Sequence, residues 1–133
     1  EDNHITYPNL KVLIVDDEED VLIYLTALFR EHGFETVTAE DGNSALLVAK
    51  VEKPDIITLD ITMPEQSGIK TYRILKDDDE LNAIPIIFVT AIGDSVGVIK
   101  KQLDGYPDPE GFIGKPIEHD KLIQMARRLV TGS

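Results

Sequence analysis

Five residues could together do phosphoryl chemistry: Asp16 and Asp17 in "VLIVDDEED", Asp60 in "ITLDITMPEQSG", Thr90 in "FVTA" and Lys115 in "FIGKP". Two unit charges ~4 Å apart cost about 1 kcal/mol in water and about 4 kcal/mol at an effective dielectric near 20. Three gathered carboxylates therefore raise one another's pKa values or recruit a cation. A small all-oxygen donor set that leaves room for water suits Mg²⁺, and with Lys115 beside it the pocket favours a dianionic phosphoryl group. An Asp carboxylate can then act as nucleophile and form an acyl phosphate, while metal and ammonium neutralise the transferred group. The protein's part is positioning and electrostatics.

Whether these residues meet depends on the elements that carry them. "LKVLIV" is rich in Val and Ile, as a strand buried on both faces would be. From Asp20 to His32 the residues Val21, Leu22, Leu25, Leu28 and Phe29 recur at helical spacing, and Gly33 follows as a stop. "ETVTA" is a short strand, and "EDGNSALLVAKVEK" is loop and helix with Ala45, Leu46 and Ala49 inward, ended by Pro54. "DIITLD" and "IPIIFVT" read as strands around the helix "SGIKTYRILK". "DSVGVIKKQL" is a weaker, Gly-interrupted helix, "GFIG" a strand, and "EHDKLIQMARRLV" the last helix, with Leu122, Ile123, Ala126, Leu129 and Val130 inward.

Five buried strands alternating with five helices have one common solution, a single doubly wound parallel α/β sheet covered on both faces. Ligands of such folds bind beyond the carboxyl ends of the strands, near the point where strand order reverses. The five residues all close strands or follow them at once, so the topology gathers them on one edge.

Composition narrows the partners. The chain has 133 residues, enough for one domain with a real core, and a net charge of -12 from 25 acidic and 13 basic residues. Such a surface repels nucleic acid and anionic membrane, leaving proteins or cations. Without cysteine there is no disulfide framework or thiolate metal site, which fits a reducing compartment, and the cytoplasm is the expected location. No apolar run approaches the ~20 residues of a membrane span, and the first residues show no basic region followed by an apolar block. The chain lacks an initiator Met, as a piece of a longer protein would.

The motifs "VLIVDDEED", "ITLDITMPEQSG", "FVTA" and "FIGKP", in this order and spacing, resemble the response-regulator receiver domains of two-component signalling, over residues 10 to 131. The resemblance implies a flavodoxin-like sheet of strand order 2-1-3-4-5, with residues 1–9 as a flexible lead. It implies a switch whose Asp60 takes a phosphoryl group from a histidine kinase or a histidine phosphotransfer protein. It also implies that Asp16 and Asp17 bind Mg²⁺ together with Asp60 and the Thr62 backbone carbonyl. Thr90 would bond a phosphoryl oxygen and Lys115 another, with a cis bond to Pro116. Phe112 would turn inward as Thr90 moves, signalling by packing alone. Such a domain is a phosphoacceptor rather than an enzyme on external substrates, and a dimer that forms on phosphorylation is one partner the family offers.

Each feature has a plainer reading. Glu18, Glu19 and Asp20 suit a helix start, where the dipole favours acids. Asp60 alone would be a strand-to-turn residue, and its company reverses that. Pro64 and Gly68 shape the loop. "KDDDE", residues 76 to 80, reads as a solvated loop, and His4, Tyr7, His32 and His119 as tail or surface residues. A phosphatase working through an aspartyl-phosphate is the enzyme alternative, but such hydrolases want a second Asp where Thr62 stands. A pseudo-receiver interaction module is the other alternative, yet the acidic pair and the Lys are both present. Repulsion among carboxylates predicts that Asp60→Asn leaves metal-free stability unchanged or raises it. The segment around "YPDPEG" departs from the family, with two prolines and two glycines favouring a loop beside the surface that signals outward.

Overall fold

The computed structural model describes residues 10–61, 67–91 and 96–132. Ten elements alternate along the chain: β1 (Lys11–Val15), α1 (Glu19–Glu31), β2 (Glu35–Ala39), α2 (Gly42–Glu52), β3 (Ile56–Asp60), α3 (Ser67–Asp77), β4 (Ile86–Thr90), α4 (Val96–Gln102), β5 (Gly111–Gly114) and α5 (His119–Thr131). The strands form one parallel sheet in the order β2-β1-β3-β4-β5. The parallel α/β sheet is the one expected from the alternating pattern, and its flavodoxin-like strand order is the one the family resemblance implies.

The sequence pattern explains the layers. β3 and β4 are buried at every position, as central strands covered on both faces must be. One core lies on the side of α2, α3 and α4 and includes Leu13, Leu59, Tyr72, Leu75 and Phe88. The other lies on the side of α1 and α5 and includes Ile14, Leu25, Phe29, Ile56 and Leu122. On α5, Leu122, Ile123 and Ala126 are buried, while Leu129 and Val130 pack partly exposed against the same core. Leu46 is likewise only half-buried, with Ala45 and Ala49 forming the inner stripe of α2. Helix ends have identifiable stops and starts. Gly33 follows α1 at φ +90°, and the Asp41 carboxylate accepts the Ser44 amide at 2.8 Å at the start of α2.

In the "KDDDE" stretch Lys76 and Asp77 end α3 and the chain then turns, with Asp77, Asp79 and Glu80 exposed as a solvated segment would be. Lys76 has a nearly buried side chain whose Nζ donates to the Asn82 and Ile84 carbonyls, and Asp78 pairs with Lys50 at 3.0 Å. Asn82 and Ile84 lie just beyond the stretch, whereas Lys50 comes from α2, and composition alone could not reveal it. His32 is half-buried, its Nδ1 2.9 Å from the Leu28 carbonyl, and the exposed His119 ring meets Tyr24 at a tilt, with ring centroids 5.4 Å apart.

Candidate functional site

Strand register brings the predicted residues level. Val15 pairs with Leu59, so Asp16 and Asp60 are the next residues on neighbouring strands. Asp60 pairs with Val89 and Thr90 with Gly114, which sets Thr90 and Lys115 on the same rim. Backbone bonds hold the strand tips together: the Asp16 amide donates to Ala39, the Ile61 amide to Val89 and the Lys115 amide to Thr90. Strand order reverses between β1 and β3, the strands that carry Asp16 and Asp60.

The carboxylates of Asp16, Asp17 and Asp60 each offer an oxygen within 4.8 Å of the others. Asp16 and Asp60 are buried, at 1% and 3% exposure, whereas Asp17 is exposed. The result is a half-open cluster with two walls of protein and one side to solvent. Asp16 Oδ1 accepts the Glu18 amide at 2.9 Å, which fixes its carboxylate as the chain turns into α1. Lys115 Nζ lies 3.2 Å from Asp60 Oδ2. Thr90 is 8% exposed at the end of β4.

The electrostatics show which force dominates. Burial pushes the Asp16 carboxyl up from 3.8 to about 7, opposed by the Glu18 amide and reinforced by Asp60. Desolvation, more than the mutual repulsion expected from sequence, is thus the main strain on the cluster. Burial pulls Lys115 down, but Asp60, Asp16 and Glu18 together outweigh it and hold its ammonium above the ordinary range. The pocket keeps a fixed cation beside a carboxylate and has oxygen donors to spare.

Three neighbours were missed in the sequence or named there only in part. Gly68, at the start of α3, lies so close to the β3 exit that a Cβ there would sit 2.5 Å from the Asp60 carbonyl oxygen and 2.5 Å from Ile61 Cα. Only glycine lets α3 begin against the backbone that carries Asp60. The Glu18 amide is a second missed contributor; the two-residue offset from Asp16 is a common side-chain-to-backbone turn and could have been read. The third is an aromatic ladder: Tyr72 meets Phe88 edge-on at 4.9 Å, and Phe88 meets Phe112 edge-on at 5.6 Å. Phe112 is half-buried, packed against the core beneath α4. The Lys115–Pro116 peptide is cis. The expectation for the Thr62 carbonyl, and those for Pro64, His4 and Tyr7, lie outside the described residues.

Comparison with known proteins agrees with this geometry. The family model described as response regulator receiver domain matches residues 12–127. Protein PilH of Pseudomonas aeruginosa is 32% identical over 122 residues, covering 92% of this chain and 98% of PilH. The polar-differentiation response regulator DivK of Brucella anthropi is 37% identical over 113 residues, covering 85% of this chain and 89% of DivK. A signal receiver domain of a signal transduction histidine kinase from Syntrophus aciditrophicus superposes with a TM-score of 0.79 at 30% identity, covering 92% of this chain and 90% of that one.

Proposed function

The chain belongs to the response regulator receiver domain family of two-component systems, and from that premise we propose that it is a phosphorylation-operated switch with Asp60 as the phosphoacceptor. The observation that carries this reading is the buried Asp60 carboxylate held 3.2 Å from the Lys115 ammonium, within a cluster completed by Asp16 and Asp17.

In this reading an Asp60 oxygen attacks the phosphorus of a phosphohistidine on a cognate histidine kinase or phosphotransfer protein. The P–O bond forms as the P–N bond breaks, and the imidazole leaves with the bonding electrons and takes up a proton. The product is an acyl phosphate on Asp60, which water later hydrolyses to carboxylate and inorganic phosphate. Lys115 moves from the carboxylate to a phosphoryl oxygen as charge builds there, and the Thr90 hydroxyl donates to another. The site is built to complete a single transfer onto itself, so the chain is a regulatory acceptor.

The donor set fits Mg²⁺: three carboxylates, all oxygen, two of them held by buried backbone, with one side open to water. Asp16, Asp17 and Asp60 would hold the ion, with the Thr62 carbonyl as the further protein ligand. Bound there it supplies charge neutralisation for the incoming phosphoryl group. Burial raises the Asp16 carboxyl to about 7, and the ion would favour its ionised form.

Phe112 is the packing switch in this scheme, at the end of the Tyr72–Phe88 ladder. Residues 10–131 act as the receiver unit, working in the cytoplasm, where histidine kinases present their phosphoryl groups. The test is acetyl phosphate labelling with Mg²⁺: the wild type becomes phosphorylated on one site, Asp60→Asn loses the label and Lys115→Ala is labelled much more slowly. Equal labelling of Asp60→Asn and wild type would refute the assignment.

A further inference from the structure

β2 closes one side of the sheet, and among the described residues it pairs only with β1. The Glu35 amide donates to Leu10 and the Ala39 carbonyl accepts from Asp16. Alternate residues of a parallel strand serve the same neighbour, so Glu35, Val37 and Ala39 spend their backbone groups on β1. Thr36 and Thr38 therefore direct theirs to the open edge. Sheets commonly blunt such an edge with lysine, proline or a bulge, and "ETVTA" has none of these.

Apolar side chains flank that edge in two pairs, each one helical turn apart. On one side α1 presents Ile23, 61% exposed, and the exposed Ala27; on the other α2 presents Leu47 at 66% and Val51 at 77%. Ile23, Leu47 and Val51 are three of the five most exposed large apolar residues among those described. They border two grooves that run along β2, one toward α1 and one toward α2.

We propose that this edge is a self-association surface: β2 of one copy pairs antiparallel with β2 of a second copy, about a two-fold axis at Val37. In that register Thr36 faces Thr38, Val37 faces itself and Glu35 faces Ala39, so no like charges stand opposite one another. The helices fit the same symmetry. α1 and α2 each pack over the β1–β2 pair. With strands ~4.8 Å apart, a helix over the β1–β2 midline lies about 5 Å from an axis just outside β2. Like helices of the two copies then stand roughly 10 Å apart, at the upper end of the usual packing distance. Ala27 permits the approach of α1 to its symmetry mate, and Leu47 and Val51 fill the α2 side.

Charge selects the antiparallel arrangement. The groove beside α1 has Glu19 and Glu40 at one end and Arg30 at the other, where Arg30 Nε donates to Thr36 Oγ1 at 3.0 Å. The two-fold brings Arg30 of each copy to Glu19 and Glu40 of the other, whereas a parallel pairing would put like ends together. Across α2, Asp41 at the start of one helix meets Lys53 at the end of the other. The net charge of -12 on each copy opposes association, so salt strengthens it by screening. The pairing needs no phosphoryl group, so it stands or falls independently of the role of Asp60.

Sedimentation equilibrium of the whole chain tests this, with a concentration series from about 10 µM to about 1 mM, the range of a modest interface, at low and high NaCl. The average mass rises from one chain toward two, and rises further in salt. Leu47→Glu with Val51→Glu, both at exposed positions, weakens association by about tenfold or more, as loss of a central apolar contact would. Ile74→Glu, on α3, leaves it unchanged. Because the chain has no cysteine, Val37→Cys places a single thiol at the axis, and mild oxidation links it to its mate faster than a thiol introduced by Glu80→Cys. A single-chain mass throughout the series in high salt overturns the proposal. So does a dimer indifferent to the Leu47 and Val51 substitutions, or linking of Val37→Cys no faster than the Glu80→Cys control.

Discussion

The carboxyl of Asp16 is where folding changes ordinary chemistry most visibly. Its backbone amide is tied to β2 and its side chain to the Glu18 amide, so it stays buried near Asp60. Its pKa rises from 3.8 to about 7, mainly because burial penalises the charged form. In the pH range between those values the folded chain binds a proton that the unfolded chain does not. The stabilisation from this group is therefore full below about pH 4 and is lost as pH rises through 7. In metal-free protein, urea titrations should show stability falling from pH 5 to pH 8, and Asp16→Asn should flatten that slope and raise stability at pH 8. An identical slope in both proteins would contradict the assignment. Asp60→Asn is less diagnostic, because relief of repulsion is set against weakening of the Lys115 pair at 3.2 Å. The simple repulsion expectation for that substitution leaves Lys115 out of account.

At the scale of elements, α3 links the site to the unusual segment before β5. Its first turn rests on the Asp60–Ile61 backbone at Gly68. Its middle buries Tyr72, whose hydroxyl donates to the Pro107 carbonyl at 2.6 Å. Arg73 donates to the Gln102 carbonyl, and Tyr106 donates to Asp77 at 2.9 Å. Glu110 accepts the Ile86 amide at 2.8 Å, and its other oxygen lies 4.0 Å from Lys76. The "YPDPEG" segment is thus fastened to α3 and β4, and helices and loop on this side form one supported layer. Tyr72→Phe keeps the ring and removes only the hydroxyl, and because Pro107 is exposed and its carbonyl can turn to water, the loss is about 0.5–1.5 kcal/mol. Hydrogen exchange should accelerate at the Tyr106 and Glu110 amides, which bond to Leu103 and Ile86. Unchanged protection there would mean that the hydroxyl does not hold the segment.

For the whole molecule, charge and ligand linkage dominate. Two apolar cores, one on each face of the sheet, carry the fold, while a net charge of -12 is spread over a small surface. An ion that binds the folded site and not the unfolded chain stabilises by mass action, about 2.7 kcal/mol at a hundred times its Kd. Millimolar Mg²⁺ should therefore raise the Tm of wild type beyond what NaCl of equal ionic strength achieves. In Asp16→Asn with Asp17→Asn the excess should vanish, leaving only screening. A shift of equal size in that variant would place the ion elsewhere on the acidic surface.

The sequence by itself determined the alternation of strands and helices, and through it the parallel sheet and the edge on which Asp16, Asp60, Thr90 and Lys115 gather. Those outcomes depend on local periodicity and on residues that end strands, which are one-dimensional signals. Only tertiary structure decided that burial exceeds repulsion at Asp16, since desolvation depends on neighbours from other strands. The closeness of Gly68 to Asp60, the ladder from Tyr72 to Phe112 and the fastening of 104–110 also join residues far apart in the chain. "KDDDE" shows the limit at single positions: Asp77, Asp79 and Glu80 stay exposed as a solvated stretch would, while Asp78 and Asp77 gain partners in Lys50 and Tyr106 from distant parts of the chain. Side-chain partners at such separations are set by packing, which leaves no periodic trace in the residues that share it.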